Sequence, residues 1–560
     1  MIAYQANINA LVSALYAKGL EHAVICPGSR NAPLIMAFAR HGKIHCTSVP
    51  DERTAGFVAL GMAKQTQKPV AVVCTSGSAV VNLYPAVTEA FYMQVPLLVI
   101  SADRPEEMLD RWDGQTIRQF EVFGPHILGS FQTPENLDKE QFNHFAKIAF
   151  DFYDECSTGI KGPVHLNVPL KEPLYQAAQD QFVYPRVQVP APRETEEIEW
   201  EMGIDSEVFF REHPKVMILV GADDPAEDNT HLEQISNTGF AVVVADVISN
   251  VHAFLNVRNW ESVFLNADNE QRRKLLPDLL ITSGKMVLNK TLRQLLRSYP
   301  PKQHWHIEEG GYCADTFFTN PTVLALKREV FLEQLSRFLP THESGYCEFF
   351  KVLGIKQSEG VRESAIADQP FNELMAIGYM LKEMPDKLVL HLANSMSVRN
   401  VAYMSQHLKG GWKIYSNRGV SGVDGCTSTA VGMAMVNHDL NILVTGDIAF
   451  YYDINALWQK WLPGNFKIIL MNNFGGGIFR NIDGPSNLPE LDPYLETPHK
   501  LEAGHLAAHF GLAYFKASDQ DGLQLGFANL MDHDGPGMLE VQTITEINSR
   551  VFNQYKSIVL

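Results

Sequence analysis

The sequence predicts three consecutive doubly wound α/β domains, each built on a mainly parallel sheet. Three observations carry the prediction. Continuous apolar runs rich in valine, isoleucine and leucine alternate with helical stretches, as strands covered on both faces do. Most of these runs end in clusters of glycine, serine, proline and charged residues, where such folds place ligands beyond the carboxyl ends of their strands. Two polar stretches, near 182–200 and 354–369, cut the alternation into three blocks. The length of 560 residues agrees, because a single core rarely serves a chain longer than about 250–300 residues.

In the first block (1–182), Ala23-Val24-Ile25-Cys26 passes through Pro27-Gly28-Ser29-Arg30 into a helical pattern from Ala32. Val70 to Cys74 ends in Thr75-Ser76-Gly77-Ser78 before a helix predicted over Val80–Tyr92. Pro96 to Ile100 ends in Ser101-Ala102-Asp103-Arg104-Pro105. The stretch Phe182–Trp200, with its prolines and glutamates, reads as a linker. The second block (200–354) holds apolar runs at Val216–Gly221, Ala241–Asp246 and Leu279–Gly284; the third (370–560) holds them at Leu388–Ala393, Asn441–Thr445, Phe466–Met471 and Met538–Val541. No short repeat or low-complexity tract is present.

Composition narrows the class. The formal net charge of −18 leaves no basic face to displace counterions, which argues against a nucleic-acid binder. No window reaches the ~20 apolar residues of a spanning helix, and the first residues lack a basic segment followed by an apolar core, so a cytoplasmic enzyme without membrane insertion is expected. The seven cysteines are scattered without metal or redox spacing, as expected of reduced thiols. Cys74, inside an apolar run, reads as a buried structural residue. His22, His41, His45 and His126 are read as offering no metal site, no serine sits in a nucleophile elbow, and no Gly-x-Gly-x-x-Gly follows the first strand.

Two constellations carry chemistry. The first is Gly446-Asp447-Ile448, with Asn472-Asn473-Phe474-Gly475-Gly476-Gly477 further on. Each piece terminates an apolar run, which sets them side by side on one sheet rim. A magnesium-class cation takes hard oxygen donors, and the Asp447 carboxylate, the Asn473 carbonyl and a backbone carbonyl near Gly475 would supply them. A helix starting near Ala449 would turn free N–H groups toward a diphosphate. The glycine run has two readings, close backbone approach to a ligand or a flexible loop. The second constellation is Asp51-Glu52-Arg53 before a small-residue helix over Ala55–Ala63. By itself, an acid there would be a cap or a dipole complement.

Taken together, these pieces resemble the thiamine-diphosphate enzymes, in which one domain holds the aminopyrimidine and another the diphosphate. Gly446-Asp447-Ile448 followed by Asn472-Asn473 matches that family's diphosphate signature. The resemblance implies thiamine diphosphate with Mg2+ or Mn2+ as cofactors, metal ligands Asp447, Asn473 and Gly475, and a pyrimidine, central, diphosphate order of domains. It makes Glu52 catalytic: the carboxyl would bond the pyrimidine nitrogen and favour the imine that deprotonates the thiazolium carbon. Val423 would hold the two rings of the cofactor bent, and Ile478 and Phe479 would shield the site from water.

Further strings in order narrow the resemblance. They are Pro27-Gly28-Ser29-Arg30, Thr75 to Pro85, Ala102-Asp103-Arg104-Pro105, Gln115 to Gln119, Asn394-Ser395 with Arg399, and Tyr415 to Gly425. They are similar to the menaquinone-pathway synthases that decarboxylate 2-oxoglutarate and add the succinyl carbanion to isochorismate in a Stetter-like 1,4-addition. This implies Arg399, Arg418 and Ser395 for the 2-oxoglutarate-derived group, and Ser29, Arg30, Arg104, Gln115 and Lys290 for isochorismate. The family has Lys-Arg where this chain has Lys290-Thr291. Two dicarboxylates call for fork-shaped cationic donors. The alternative is another thiamine-diphosphate decarboxylase or carboligase, such as an acetohydroxy acid synthase, against which the arginine set counts. A non-catalytic relative would have lost Glu52, Asp447 or Asn473, and all three are present. The family's cofactor lies between subunits, so a homodimer or a tetramer is expected.

Overall fold

The computed structural model describes residues 3–558 except 136–140, 176–181, 190–201, 204, 227, 253–262, 265–267, 359–360, 461 and 483, and the described residues form seventeen strands in three sheets. The first sheet contains β1 (His22–Ile25), β2 (His45–Ser48), β3 (Val70–Cys74), β4 (Leu97–Asp103), β5 (Gly129–Gln132) and β6 (Val164–Pro169). The second contains β7 (Val216–Val220), β8 (Ala241–Ala245), β9 (Leu279–Ser283), β10 (Gln303–Ile307) and β11 (Thr322–Leu324). The third contains β12 (Leu388–Leu392), β13 (Trp412–Tyr415), β14 (Asn441–Gly446), β15 (Phe466–Asn472), β16 (Ala513–Ala517) and β17 (Gly537–Gln542). Their orders are β2-β1-β3-β4-β6-β5, β11-β10-β9-β7-β8 and β13-β12-β14-β15-β17-β16. Every neighbouring pair is parallel. The first and third sheets share one order, with a reversal beside their first strand (β1/β3 and β12/β14). Ligands of doubly wound sheets sit at such reversals.

Burial explains the continuous apolar runs. In the first sheet Ala71, Val73, Leu98 and Ile100 enter a core on one face, while Val70, Val72, Leu97 and Val99 enter a second core on the other. Because side chains alternate, a strand covered on both faces needs apolar residues at every position. The second sheet is covered in the same way. By contacts the chain forms two compact units. One comprises 1–195, 417–438 and 451–464, the other 196–416, 439–450 and 465–560.

Several predicted bounds shift for physical reasons. The helix expected over Val80–Tyr92 is two helices, Ser78–Asn82 and Tyr84–Met93, because Pro85 has no N–H to continue the first and fits the opening turn of the second. The run expected to end at Ile100 continues to Asp103, since Ser101, Ala102 and Asp103 still pair with Asn167, Val168 and Pro169 of β6. The helix read over Ala55–Ala63 spans Glu52–Thr66, and the one expected near Ala449 starts at Asp447. The polar stretch near 354–369 lies largely in helices Gly345–Ser358 and Val361–Ala367. Of the linker read over 182–200, residues 190–200 lie outside the described residues.

Candidate active site

In the first unit the predicted residues gather at the rim where β1 and β3 end. Asp51 caps the helix Glu52–Thr66, accepting from the N–H groups of Arg53 (2.9 Å) and Thr54 (3.3 Å). Its second oxygen accepts from Asn455 at 2.6 Å. The cap fixes where Glu52 begins the helix. Glu52 is partly buried; burial raises its pKa, its own N–H works against the rise, and Asp51 adds to it. Its charge acts on Cys26 and Cys74 at the ends of β1 and β3. Both thiols are buried and pushed up by desolvation, so Cys74 is structural. A carboxyl that takes up a proton more readily than usual suits a group sharing one with a ring nitrogen.

The loops after β1 and β3 touch. A Cβ on Gly28 would lie 2.5 Å from the Thr75 Cβ, and one on Gly77 (φ +84°) 2.9 Å from the Gln115 backbone. Gly77 therefore allows the segment carrying Gln115 to approach this rim. Gln119 ties the segment down: its carbonyl accepts from Gly77 N–H at 3.1 Å, while its amide donates to Ser101 Oγ, the Ala102 carbonyl and Asn167 Oδ1. Ser29 and Gln115 are exposed. Arg30 is only 2 % exposed. It donates to the Leu170 carbonyl at 2.8 Å and stands 3.6 Å from Glu172, while its Nε has no partner among the described residues. Arg104 donates to the Gly114 carbonyl at 2.9 Å and lies 3.7 Å from Asp113, and its Nε also lacks a hydrogen-bond partner there.

The same unit holds Arg418 and Val423. Glu89, 1 % exposed on the helix Tyr84–Met93, accepts from the N–H groups of Gly419 (2.7 Å) and Val420 (2.8 Å) and interacts with the Arg418 charge. Val423 is partly buried in the turn before Gly425, whose Cβ would collide with the Phe57 ring at 2.3 Å. Asp453 accepts from Ser428 N–H and Oγ at 2.7 and 2.8 Å, holding the start of the helix Cys426–Ala434.

In the second unit Asp447 follows β14 and Asn473 follows β15. The Gly475 N–H donates to both, at 2.9 Å to Asp447 Oδ2 and 3.2 Å to Asn473 Oδ1. Two hard oxygens thus accept from one N–H group. Burial pushes Asp447 up to about 6, against the N–H groups of Ile448 and Gly475, which favour its charge. His499 Nε2 stands 3.3 Å from Asp447 Oδ2. Of the two readings of the glycine run, the structure favours close backbone approach, but to the chain itself. Gly476 N–H donates to the Glu496 carbonyl at 2.7 Å, and a Cβ on Gly475 would lie 3.1 Å from that carbonyl. The left-handed residue of the turn is Phe474 (φ 65°), not a glycine. Ile478 and Phe479 are partly buried in the turn Gly477–Asn481.

Ser395 precedes the helix Met396–Tyr403 in a left-handed conformation (φ 72°, ψ −127°), and its carbonyl accepts from Arg399 at 2.5 Å. These two residues follow β12, beside the strand that delivers Asp447. Lys290 is exposed at the start of the helix Lys290–Ser298 and has no ion pair among the described residues. Residues 8–122 match a family model described as "Thiamine pyrophosphate enzyme, N-terminal TPP binding domain". That segment includes Glu52, Ser29, Arg30, Arg104 and Gln115. The whole chain is similar to 2-succinyl-5-enolpyruvyl-6-hydroxy-3-cyclohexene-1-carboxylate synthases. It is 38 % identical to that of Flavobacterium johnsoniae over 550 residues, covering 96 % of each chain. It is 39 % identical to that of Flavobacterium psychrophilum over 543 residues, again 96 % of each, and 38 % to that of Cytophaga hutchinsonii over 557 residues, 97 % of each.

The chain belongs to this synthase family. It has the three parallel sheets expected of a thiamine-diphosphate enzyme, and no described helix is long and apolar enough to cross a membrane. Sequence reasoning missed three residues that shape the site of this synthase: Glu89, Gln119 and Glu373. Glu373 opens the helix Glu373–Glu383, where it reads as an ordinary dipole complement. In fact it accepts from Asn473 Nδ2 at 2.8 Å and is pushed up to about 7 by burial.

Proposed function

We propose that this chain, like the synthases it resembles, decarboxylates 2-oxoglutarate and adds the four-carbon remainder to isochorismate, with thiamine diphosphate and Mg2+ or Mn2+ bound. The observation that carries the substrate assignment is Arg30. A guanidinium this deeply buried, with one N–H unpartnered, is costly unless an anion completes it, and a carboxylate matches its fork. With Ser29, Arg104, Gln115 and Lys290 it addresses isochorismate. Ser395, Arg399 and Arg418 address the 2-oxoglutarate-derived group.

Asp447, Asn473 and the Gly475 carbonyl would hold the cation that accompanies the diphosphate. The donor set fits: all three are hard oxygens, and Asp447 is a buried carboxylate whose charge a cation would stabilise. When bound, thiamine diphosphate supplies the electron sink for decarboxylation and carbon–carbon bond formation. Glu52 holds a proton at its carboxyl and presents it to the pyrimidine nitrogen. Val423 would pack against the cofactor, and Ile478 and Phe479 would keep water from it. The domains run 1–182, 200–354 and 370–560, binding the pyrimidine, forming the centre and binding the diphosphate. The active enzyme is cytoplasmic and a homodimer or tetramer. The test follows isochorismate loss with 2-oxoglutarate supplied; pyruvate turnover without isochorismate consumption refutes the assignment.

A further inference from the structure

An asparagine can serve a cation only through Oδ1, yet its amide is nearly symmetrical in shape, and only its hydrogen bonds decide which end points where. At Asn473 the Gly475 N–H meets the oxygen end at 3.2 Å, and the nitrogen end is held by one side chain, Glu373. Glu373 is 5 % exposed, and three amides converge on its carboxylate. Oε1 accepts from Asn473 Nδ2 at 2.8 Å and from Asn548 Nδ2 at 3.1 Å, and Oε2 accepts from Asn400 Nδ2 at 2.9 Å. Asn548 Oδ1 in turn accepts from the Glu373 N–H at 3.0 Å, which holds the carboxylate in place. Both oxygens are engaged as acceptors by amide N–H groups. Turning Asn473 over would set oxygen against oxygen in a buried place, a cost well above that of an exposed mismatch. The NH2 of Asn473 is therefore committed to Glu373, and Oδ1 is left facing Gly475 N–H and Asp447. An acid serving only the helix dipole would need none of these partners.

We propose that Glu373 is the positioning residue of the metal centre, fixing the Asn473 amide so that its oxygen, and not its nitrogen, is offered to the cation. The proposal rests on the reading of Asp447, Asn473 and Gly475 as that centre. Groups that orient metal ligands typically contribute about 10- to 100-fold in affinity.

The test is titration of Mn2+ into the full-length protein with thiamine diphosphate present, following free Mn2+ by its paramagnetic resonance signal. Glu373→Ala weakens Mn2+ binding by about 10- to 100-fold. Glu373→Gln restores most of it: the glutamine carbonyl keeps Asn473, and its amide meets Asn400, whose Oδ1 has no partner and can turn toward it. Glutamine as weak as alanine would mean that charge, not orientation, matters, and would overturn the proposal. Parental binding in Glu373→Ala, with binding lost in Asp447→Ala, overturns the role of Glu373 and leaves the centre standing. Parental binding in Asp447→Ala overturns the centre itself. If Glu373→Ala does not fold, Asn548→Leu replaces it, removing the residue that holds the carboxylate; a few-fold weakening supports the proposal and unchanged binding refutes it.

Discussion

Substituting Gly61 by alanine tests the packing that sets Glu52 in place. The helix Glu52–Thr66 meets the helix Cys426–Ala434 backbone to backbone. A Cβ on Gly61 would lie 2.2 Å from the Thr429 carbonyl oxygen and 3.1 Å from Met433 N, and one on Gly432 would lie 2.2 Å from the Val58 oxygen. Carbon and oxygen rest no closer than about 3.3 Å, so the two helices must part by about 1 Å. Helix propensity alone favours alanine by about 1 kcal/mol, whereas overpacking costs about 1–3 kcal/mol. Both colliding groups are backbone and cannot rotate away, so the upper end applies and the net loss is about 2 kcal/mol. Gly378, inside the helix Glu373–Glu383, is the matched control. Its nearest neighbour is the Met404 sulfur at 3.5 Å, an ordinary contact, so Gly378→Ala gains about 0.5–1 kcal/mol. Thermal unfolding of both variants beside the parent decides the matter: a melting temperature raised or unchanged by Gly61→Ala refutes the reasoning. With the catalytic role proposed for Glu52, a ~1 Å displacement of its helix start also lowers turnover about 100-fold.

Three more outcomes are expected. Glu52→Gln keeps cofactor binding, measured by calorimetry, while turnover falls by about 10²–10⁴; undiminished turnover excludes the acid role. Glu363 is held down at about 2 by hydrogen bonds from His407, Lys382 and Gln406, so its stabilisation is complete above the usual 4.5 and is lost as pH falls through about 2. Glu363→Gln should therefore lower the unfolding free energy, measured by urea denaturation at neutral pH, by about 1–2 kcal/mol after screening, and the gap to the parent should close in acid; a constant gap contradicts the pairing. Ser395→Gly relieves a left-handed serine, a strain of about 1–3 kcal/mol offset by glycine's entropy. The expected result is a higher melting temperature with a raised KM for 2-oxoglutarate, and a fall in both would contradict it.

What the sequence left illegible has a pattern. The strands absent from the apolar reading are mostly edges: β2 (His-Cys-Thr-Ser), β5 (Gly-Ser-Phe-Gln), β11, β13 and β16. An edge strand is not enclosed on both sides and has no need of a continuous apolar run. Two interior strands, β6 and β10, escaped for another reason, since they carry buried polar residues satisfied by one another. His165 pairs with Ser101 at 2.7 Å and Asn167 donates to Asp103 at 2.8 Å; His304 and His306 both meet Thr282 at 2.8 Å. The juxtaposition of Asp447 and Asn473 was legible because two local strings each ended a recognisable strand. Glu373 was not, because its partners Asn400, Asn473 and Asn548 lie far along the chain and only the fold gathers them.

The shared order of the first and third sheets explains why one architecture can serve opposite charges. At the first reversal, β1 and β3 lead into loops with Ser29, Arg30 and the support for Gln115. At the third sheet's reversal, β12 and β14 lead into Ser395 and Asp447. The backbone offers similar strand ends in each case, and the side chains choose the ligand. The first rim presents the buried Arg30 and the partly buried Arg104, suited to carboxylates. The Asp447 site presents buried acids, Asp447 and Glu373, suited to a cation. In a chain of net charge −18 the overall field opposes two dicarboxylate substrates, but at physiological salt it decays within about 8 Å. On the roles proposed for Arg30 and Arg104, capture is decided by arginines at short range. That is why burying Arg30 with an open N–H, expensive in the empty protein, is consistent with a site whose binding energy is released only when a carboxylate arrives.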